Sequence, residues 1–361
     1  MLIFMKKKYL SSFFLISFML LFFISCQTKH QQKKEKIRSI HDTIGFAQYK
    51  WQMDSIYNRF KIKDEKNNEK WKTVICPHDD YKYAGKLYYE ALKGVNANTI
   101  ILIGVAHKAR KYDLKDKIIF GSYTHWKSPY GKLPVSTLNQ EIYSKLPKED
   151  FLVHDDMQQL EHSLEAIIPF LHKKNNALEI IPILVPYMDS KKINLISSNL
   201  SEVISNILKT KNLTFGEDIA IVISNDAVHY GDTDWSQNLA PYGVDSIGTN
   251  KARKHDLRII DSYLTNEIDM SKIESFFYET TQKEDYTKYN WVWCGRYSVP
   301  FGLATANKLN ILQNNKALFG TFLNYETSID HPLIEVEDIQ MGTTAIATQR
   351  HWVAYTSIKY K

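Results

Sequence analysis

The sequence predicts an α/β protein with a central, mostly parallel or mixed sheet covered by helices on both faces, a three-layer α/β/α arrangement. The main observation is a set of aliphatic runs without polar alternation, at Thr99–Val105, Glu179–Val185 and Ile219–Ser224. Strands of this kind are buried on both faces, so helices must cover both sides of the sheet. Helical patterns lie between these runs along the chain, which favours one large α/β domain.

The remaining elements are predicted from local patterns. Apolar runs at residues 73–78 and 291–294 end at His78 and Cys294, and each is predicted to be a strand that leads into a turn. Residues 160–173 place their apolar side chains on one side, which is typical of an amphipathic helix. Further helices are predicted at residues 83–94, 193–209, 253–264 and 299–312, and closing strands at residues 319–325 and 343–348.

The first 26 residues resemble a lipoprotein-type signal peptide. Lysines at residues 6–8 precede an apolar run at residues 13–24, which is shorter than the ~20 residues of a usual spanning helix. Ser25 and Cys26 then resemble a bacterial lipobox, in which lipid is attached to the cysteine. We expect a lipidated Cys26, a polar tether at residues 27–39 and a folded domain at residues 40–361. An uncleaved N-terminal anchor is the alternative.

The residue after the lipobox cysteine bears on location. Gln27 is not the aspartate that tends to retain bacterial lipoproteins at the inner membrane. A multiply acylated cysteine anchors a protein firmly, whereas a single chain binds membranes only marginally. The expected location is therefore the cell envelope, with the lipid anchor in the outer membrane.

The composition and the absence of certain motifs argue against several classes of function. The net charge of +6 comes largely from N-terminal lysines, so the body of the chain is nearly balanced and does not indicate a nucleic-acid groove. The chain has no Walker pattern, no G-x-G-x-x-G and no G-x-S-x-G, which leaves nucleotide binding and serine hydrolysis poorly supported. Besides Cys26 the cysteines are Cys76 and Cys294. A disulfide between them is the alternative to a separate role for each.

Three residues stand where metal ligands would be placed. His78 and His107 each follow an aliphatic strand, and Cys294 follows the apolar run at residues 291–294. In open α/β sheets ligands bind at the carboxyl ends of strands, so these side chains can converge on one point. Two imidazoles and a thiolate suit iron, copper or zinc. A histidine whose hydrogen bonds are satisfied in the core is the alternative for either imidazole.

A fourth strand end adds an acid and a further imidazole. Asp226 and His229 follow Ile219–Ser224 and are three residues apart, which suits a shared turn or helix face. We expect His229 to act as an acid or base that is oriented by Asp226. Asp226 could equally cap a helix, and Glu161 could complement the dipole of the predicted helix at residues 160–173.

Six segments in order resemble the Memo family, also called AmmeMemoRadiSam system protein B. The family pattern P-H-A-G-Y-x-Y-S/C-G is similar to the segment that contains His78, and L-G-P-x-H is similar to the segment that ends at His107. The matching segments are PHDDYKYAG at 77–85, IGVAH at 103–107, SPYG at 128–131, EHSLE at 161–165 with IIPILV at 180–185, SNDAVHYG at 224–231 and CGRYSV at 294–299.

The resemblance implies a fold shared with class III extradiol ring-cleaving dioxygenases, which hold Fe(II) with two histidines and a glutamate. In Memo-like proteins the corresponding site has two histidines and a cysteine, here His78, His107 and Cys294. The chain departs from the family pattern where Asp79 and Asp80 replace Ala-Gly, Val105 replaces Pro and Asn225 replaces Ser. The first departure adds two carboxylates beside the first ligand.

Three functions are hypotheses at this point. The first is a metal-dependent redox or oxygenase-like site, with Fe(II) preferred over copper or zinc and a small molecule as the substrate. The second is a non-catalytic module of the cell envelope that binds a metal or a peptide in the same cleft. The third, zinc-dependent hydrolysis, needs only the same ligands and His229 as a base.

Overall fold

A computed structural model describes residues 35–60, 69–234 and 237–361, and all strands and helices named here belong to this part of the chain. The strands are β1 (Ile37–Arg38), β2 (Thr73–Cys76), β3 (Thr99–Val105), β4 (Ile118–Phe120), β5 (His125–Ser128), β6 (Gly131–Pro134), β7 (Phe151–Val153), β8 (Glu179–Val185), β9 (Ile219–Ser224), β10 (His229–Gly231), β11 (Asn266–Glu267), β12 (Phe319–Thr327) and β13 (His351–Tyr360). The helices are α1 (Lys50–Arg59), α2 (Tyr81–Leu92), α3 (Thr137–Lys145), α4 (Asp155–Leu160), α5 (Ile168–Lys174), α6 (Ser190–Lys211), α7 (Ser246–Ile259), α8 (Met270–Thr280) and α9 (Ser298–Asn314).

Four parallel strands form the centre of the main sheet, in the order β2-β9-β3-β8. Antiparallel β13, β12 and β11 extend the sheet beyond β2, and β10 pairs with β13. Beyond β8 the sheet continues through antiparallel β4 and then β7, which is parallel to β4. A smaller sheet has the order β1-β5-β6. The main sheet is therefore mixed around a parallel centre.

Alternate side chains of the central strands enter two separate cores. Ile101 and Ile103 of β3 belong to a core that contains buried side chains of α6 and α9, whereas Ile100 and Leu102 belong to a second core with α2 and α5. Successive residues of a strand point to opposite faces of a sheet, so helices cover both faces. The predicted three-layer α/β/α fold is confirmed.

The strands without polar alternation are where the sequence predicts them. Thr99–Val105, Glu179–Val185 and Ile219–Ser224 match β3, β8 and β9 residue for residue. The helices predicted at 83–94, 193–209 and 299–312 correspond to α2, α6 and α9. The helix predicted at 253–264 begins earlier, as α7, and continues as a π-helical turn at Ile260–Leu264.

The prediction of one continuous helix at residues 160–173 is wrong. The structure has α4, which ends at Leu160, and α5, which begins at Ile168 with a proline in its first turn. Between them the Glu161 carboxylate accepts hydrogen bonds from the backbone N–H groups of Ser163 and His107. These bonds tie the backbone of this segment to the end of β3 instead of to a continuous helix.

The prediction of a closing strand at residues 343–348 is also wrong, because the strand that closes the sheet is β13, which begins at His351. Within residues 343–348, Thr344 donates from its backbone nitrogen and its hydroxyl to the Asp80 carboxylate. The backbone donor of Thr344 is therefore taken by a side chain rather than by a neighbouring strand, and the residues form an irregular segment.

Strand β1 ties the start of the described chain to the fold. The guanidinium of Arg38 is buried, forms an ion pair with Glu165 and donates to the carbonyl oxygens of Gln158, Gln159 and Glu161. Lys36–Lys361 form one compact unit, which thus includes the last residues of the segment expected to be a tether. The signal peptide and Cys26 lie outside the described residues. Within the described residues no helix is both long and apolar enough to cross a membrane.

We predict that Arg38→Met lowers the free energy of unfolding by about 3–5 kcal/mol, because it leaves the buried Glu165 carboxylate without its cation. The matched control is Lys36→Met, which removes an ion pair to Asp155 whose lysine side chain is half exposed. Exposed pairs contribute about 1 kcal/mol or less. Urea unfolding of the three proteins measures both values, and equal losses would contradict the role given to Arg38.

Candidate metal centre

Three candidate residues occupy equivalent positions at one edge of the sheet. In the register of the parallel strands, Cys76 at the end of β2 pairs with Ser224 at the end of β9. His78, His107 and Asp226 each lie two residues beyond the end of their strand, β2, β3 and β9 respectively. Parallel strands that end at one level therefore bring these three side chains to one place, as the sequence predicts.

The His78 ring is buried and held by hydrogen bonds. Its Nδ1 lies 2.8 Å from Ser224 Oγ, and Ser224 Oγ donates its hydrogen to the carbonyl oxygen of Ser163. His78 Nδ1 is therefore the donor to Ser224, and Nε2 carries a lone pair. Burial first, and then the neighbouring His107, lower the pKa of His78 well below its usual value, so the ring is neutral.

His78 Nε2 faces a carboxylate oxygen. Asp226 Oδ2 lies 3.2 Å from Nε2, while Asp226 Oδ1 accepts the backbone N–H of His78 at 2.9 Å. Burial, and then the charge of Asp79, raise the pKa of Asp226 well above its usual value. Two lone-pair atoms at this distance need a proton or a cation between them.

His107 is fixed in the same manner by Glu161. One carboxylate oxygen accepts from the backbone N–H of His107 at 2.7 Å and the other lies 2.8 Å from its Nδ1. Burial alone would raise the pKa of Glu161, but His107 beside it lowers the pKa to about 2. An ionised Glu161 takes the Nδ1 proton as its partner, which leaves His107 Nε2 free to bind a ligand.

A third imidazole, that of His162, joins this cluster. Its ring lies 4.8 Å from that of His107 and 5.7 Å from that of His78, measured between ring centres. His78, His107 and His162 offer ligand atoms within 4.8 Å of one another. His162 is not among the ligands predicted from the sequence, because its segment was assigned to a helix. The available signal was its place directly after Glu161 in EHSLE.

Cys294 reaches the cluster from a different kind of segment than the one predicted. Residues 291–294 are not a strand of the sheet; Trp293 makes only an isolated bridge to Val228. The segment is held instead by Asp256, whose Oδ1 accepts the indole N–H groups of Trp291 and Trp293 at 2.7 and 2.8 Å. Cys294 and Cys76 are both free thiols, so no disulfide joins them.

The structure brings the predicted metal ligands together only in part. His78, Asp226 and Cys294 form a second group whose ligand atoms lie within 4.8 Å of one another. His78 belongs to both groups, but His107 and Cys294 do not share one. The thiol of Cys294 lies 3.1 Å from His229 Nε2 instead. Burial first, and then Asp226, raise the pKa of the Cys294 thiol well above its usual value, so it keeps its proton.

The expected pairing of Asp226 with His229 differs from the structure. The Asp226 carboxylate contacts the backbone and ring of His78, and the His229 ring contacts Cys294. Residue 226 is not a helix cap either, since β9 is followed by a short loop and then β10. Burial first, and then the charge of His351, lower the pKa of His229 to about 3. Its ring is therefore neutral beside the thiol.

The two carboxylates beside His78 have different surroundings. Asp79 accepts the hydroxyl of Tyr355 at 2.7 Å, and burial raises its pKa. The Asp80 carboxylate accepts hydrogen bonds from the backbone nitrogen and the hydroxyl of Thr344. Burial, and then the charge of Asp79, raise the pKa of Asp80 to about 7. Asp79 is one of the residues that line the cavity beside the cluster, while Asp80 fixes the irregular segment at residues 343–348.

A cavity of about 370 Å³ opens onto the cluster. Its walls combine the candidate ligands with apolar side chains, as in many small-molecule sites. It is lined by His78, Asp79, Tyr83, His107, Lys108, His162, Asp226, His229, Gln237, Tyr289, Val292, Cys294, Ser328, Thr344, Ala345, Ala347, His351, Trp352 and Val353. All of the predicted ligands and the predicted acid–base pair thus line one cavity.

The fold and the site define an α/β/α protein whose parallel strands end in a buried cluster of imidazoles, carboxylates and a thiol. The chain belongs to the Memo-like protein family, whose family model matches residues 47–343. It is 26% identical over 270 residues to a MEMO1 family protein of Aquifex aeolicus, which covers 74% of this chain and 82% of the relative. A MEMO1 family protein of Pyrococcus abyssi is 24% identical over 301 residues, 80% of this chain and 90% of the relative.

We predict that Asp256→Asn lowers the free energy of unfolding by about 1–3 kcal/mol, because an amide cannot accept at both of its ends. Asp256 Oδ2 accepts the Tyr325 hydroxyl and Oδ1 accepts both indoles, so the amide nitrogen faces donors in either orientation. Denaturant unfolding measures the loss, and the rate at which a thiol reagent modifies Cys294 should rise. The exposed Asp261→Asn is the control, and equal effects would contradict this role.

Proposed function

We propose that the cavity binds one divalent transition metal, with His78, His107 and Cys294 as its protein ligands. The observation that carries the proposal is that Ser224 occupies Nδ1 of His78, so Nε2 is left for the cavity that His107 and Cys294 also line. His78 Nε2 also lies 3.2 Å from Asp226 Oδ2, and a cation bound there would stabilise the ionised aspartate. His107 Nε2 is left free by Glu161 in the same way, so two imidazoles are oriented for coordination.

The donor set suits iron(II), copper and zinc, and the resemblance to class III extradiol dioxygenases favours iron(II) among them. Two neutral imidazoles and one thiolate are borderline to soft donors, which suit late first-row metals. Burial raises the pKa of both Asp79 and Asp226 beside His78, and a divalent cation bound there would favour their ionised forms. His162 stands next to His107 as a further imidazole and is the natural substitute if Cys294 does not bind.

The chain's own residues can handle the proton of the thiol. Cys294 must lose its proton to become a ligand, and His229 Nε2 is a neutral base 3.1 Å from its sulfur. We therefore assign to His229 the role of a proton acceptor, and to Asp226 a position beside His78. Iron(II) in such a site would supply redox chemistry at positions that the protein leaves open to a small molecule or oxygen.

The second candidate is a module that holds a metal or a peptide without chemistry. Oxygen uptake by the iron-loaded protein in the presence of a mild reductant separates the two functions. Sustained uptake that depends on His229 supports the redox site, whereas a metal that is bound but does not cycle supports the binding module. Zinc-dependent hydrolysis ranks third and would need no redox-active metal.

We predict that the full chain, purified without oxygen, holds about one metal per molecule, and that His78→Ala, His107→Ala and Cys294→Ala each lower that content at least tenfold under the same chelator, as loss of a ligand does. Elemental analysis of each protein measures the metal. His172→Ala is the matched control, because His172 is also buried and its Nδ1 also lies against a serine hydroxyl, Ser128 Oγ at 3.0 Å, but outside the cavity.

Two outcomes would contradict the ligand assignment. Unchanged metal content in Cys294→Ala, together with loss in His162→Ala, would assign the metal to the three imidazoles instead. Equal metal content in wild type, His78→Ala and His172→Ala would mean that the metal is not held in this cavity.

We propose further that lipid on Cys26 anchors the protein at the cell envelope, in the outer membrane. The support is the leader sequence, with its lysines at residues 6–8, apolar run at residues 13–24 and Ser25-Cys26. Cys26→Ser should move the protein from the membrane fraction to the soluble fraction, and mass spectrometry should find acyl groups on Cys26 of the wild type. A wild-type chain that keeps residues 1–25, or has no lipid on Cys26, would contradict the proposal.

A further inference from the structure

Arg296 places a buried positive charge beside the metal cavity. The residue is 4% exposed and lies two positions after Cys294, in the turn that leads into α9. Among the described residues no Asp or Glu lies within ion-pair distance of its guanidinium, and its Nε has no hydrogen-bond partner. Buried charges in proteins are normally paired, so this one needs an explanation.

Tyrosine rings account for part of the stabilisation of this charge. The guanidinium carbon lies 3.6 Å from the ring centre of Tyr289, 4.6 Å from that of Tyr297 and 5.6 Å from that of Tyr187. Aromatic rings attract a cation through their faces. They leave the Nε–H group without an acceptor, and Nε–H is one of the guanidinium donors that pair with anions.

A small cavity lies against this side chain. Its volume is about 60 Å³, and Arg296 and Tyr187 form part of its wall. His107, Tyr289 and Cys294 line both this cavity and the larger one of about 370 Å³. The two cavities are therefore neighbours, and Arg296 lies on the far side of the side chains that they share.

We propose that Arg296 binds the carboxylate of a small organic acid whose apolar remainder occupies the larger cavity. A carboxylate matches the fork of guanidinium N–H groups, and in an organic acid it carries an apolar remainder that inorganic phosphate lacks. Val292, Trp352 and Val353 supply apolar wall for the remainder of the molecule. The proposal rests on the proposed function in that both assign the ligand to the same cavity.

The test compares an acid with its neutral amide on metal-free protein, because carboxylates also bind metals directly. Calorimetry measures 4-bromobenzoate, 4-bromobenzamide and inorganic phosphate with the chelator-treated full chain, with Arg296→Gln and with Arg110→Gln. Arg110 is the matched control, since its guanidinium lies 4.7 Å from the Tyr187 ring centre but outside the small cavity. Near-ultraviolet circular dichroism checks that each variant is folded.

We expect the wild type and Arg110→Gln to bind the acid at least tenfold more tightly than the amide, and Arg296→Gln to lose this preference. Equal binding of acid and amide by the wild type, a preference that survives Arg296→Gln, or preferential binding of phosphate would overturn the proposal. If Arg296→Gln does not fold, bromine anomalous scattering from wild-type crystals decides, because it must place the bromine in the larger cavity. Absence of acid binding leaves the metal-content result unaffected, so the two proposals fail separately.

Discussion

The parallel arrangement of β2, β9, β3 and β8 is the constraint on which the candidate site depends. Hydrogen bonding between parallel strands aligns their carboxyl ends, so residues just beyond one strand end are neighbours of the residues just beyond the adjacent strand end. His78, His107 and Asp226 are each two residues beyond a strand end, and the sheet supplies their proximity. The irregular segments around them then add the side chains that the strands cannot provide.

Acceptors placed behind the imidazoles decide which nitrogen faces the cavity. Ser224 and Glu161 each take the Nδ1 proton of one ring, so both rings present Nε2 to the same space. Glu161 is itself held by two backbone donors, and Arg38 anchors the segment that carries it. The orientation of the ligands thus depends on a hydrogen-bond network that reaches from the sheet to the start of the described chain.

The sequence predicted the parts of the site that depend on periodicity. Buried parallel strands have an unmistakable apolar pattern, so His78 and His107 could be placed at their ends. The position of Cys294 depends on the contact of two indoles with Asp256, and the segment at residues 343–348 depends on Asp80. Such contacts join residues far apart in sequence and leave no periodic signal. His162 was missed because local apolar spacing favoured a helix that the Glu161 hydrogen bonds prevent.

The register of the central strands restricts how this chain can change over evolution. Side chains of a strand alternate between two faces, and in β3 the two faces enter different cores. Inserting or deleting one residue inside β3 would exchange those faces and also rotate His107 away from its neighbours. Length variation is therefore tolerable in the loops at the opposite, amino-terminal edge of the sheet, whereas the strands that precede the histidines can accept substitutions but not changes in length.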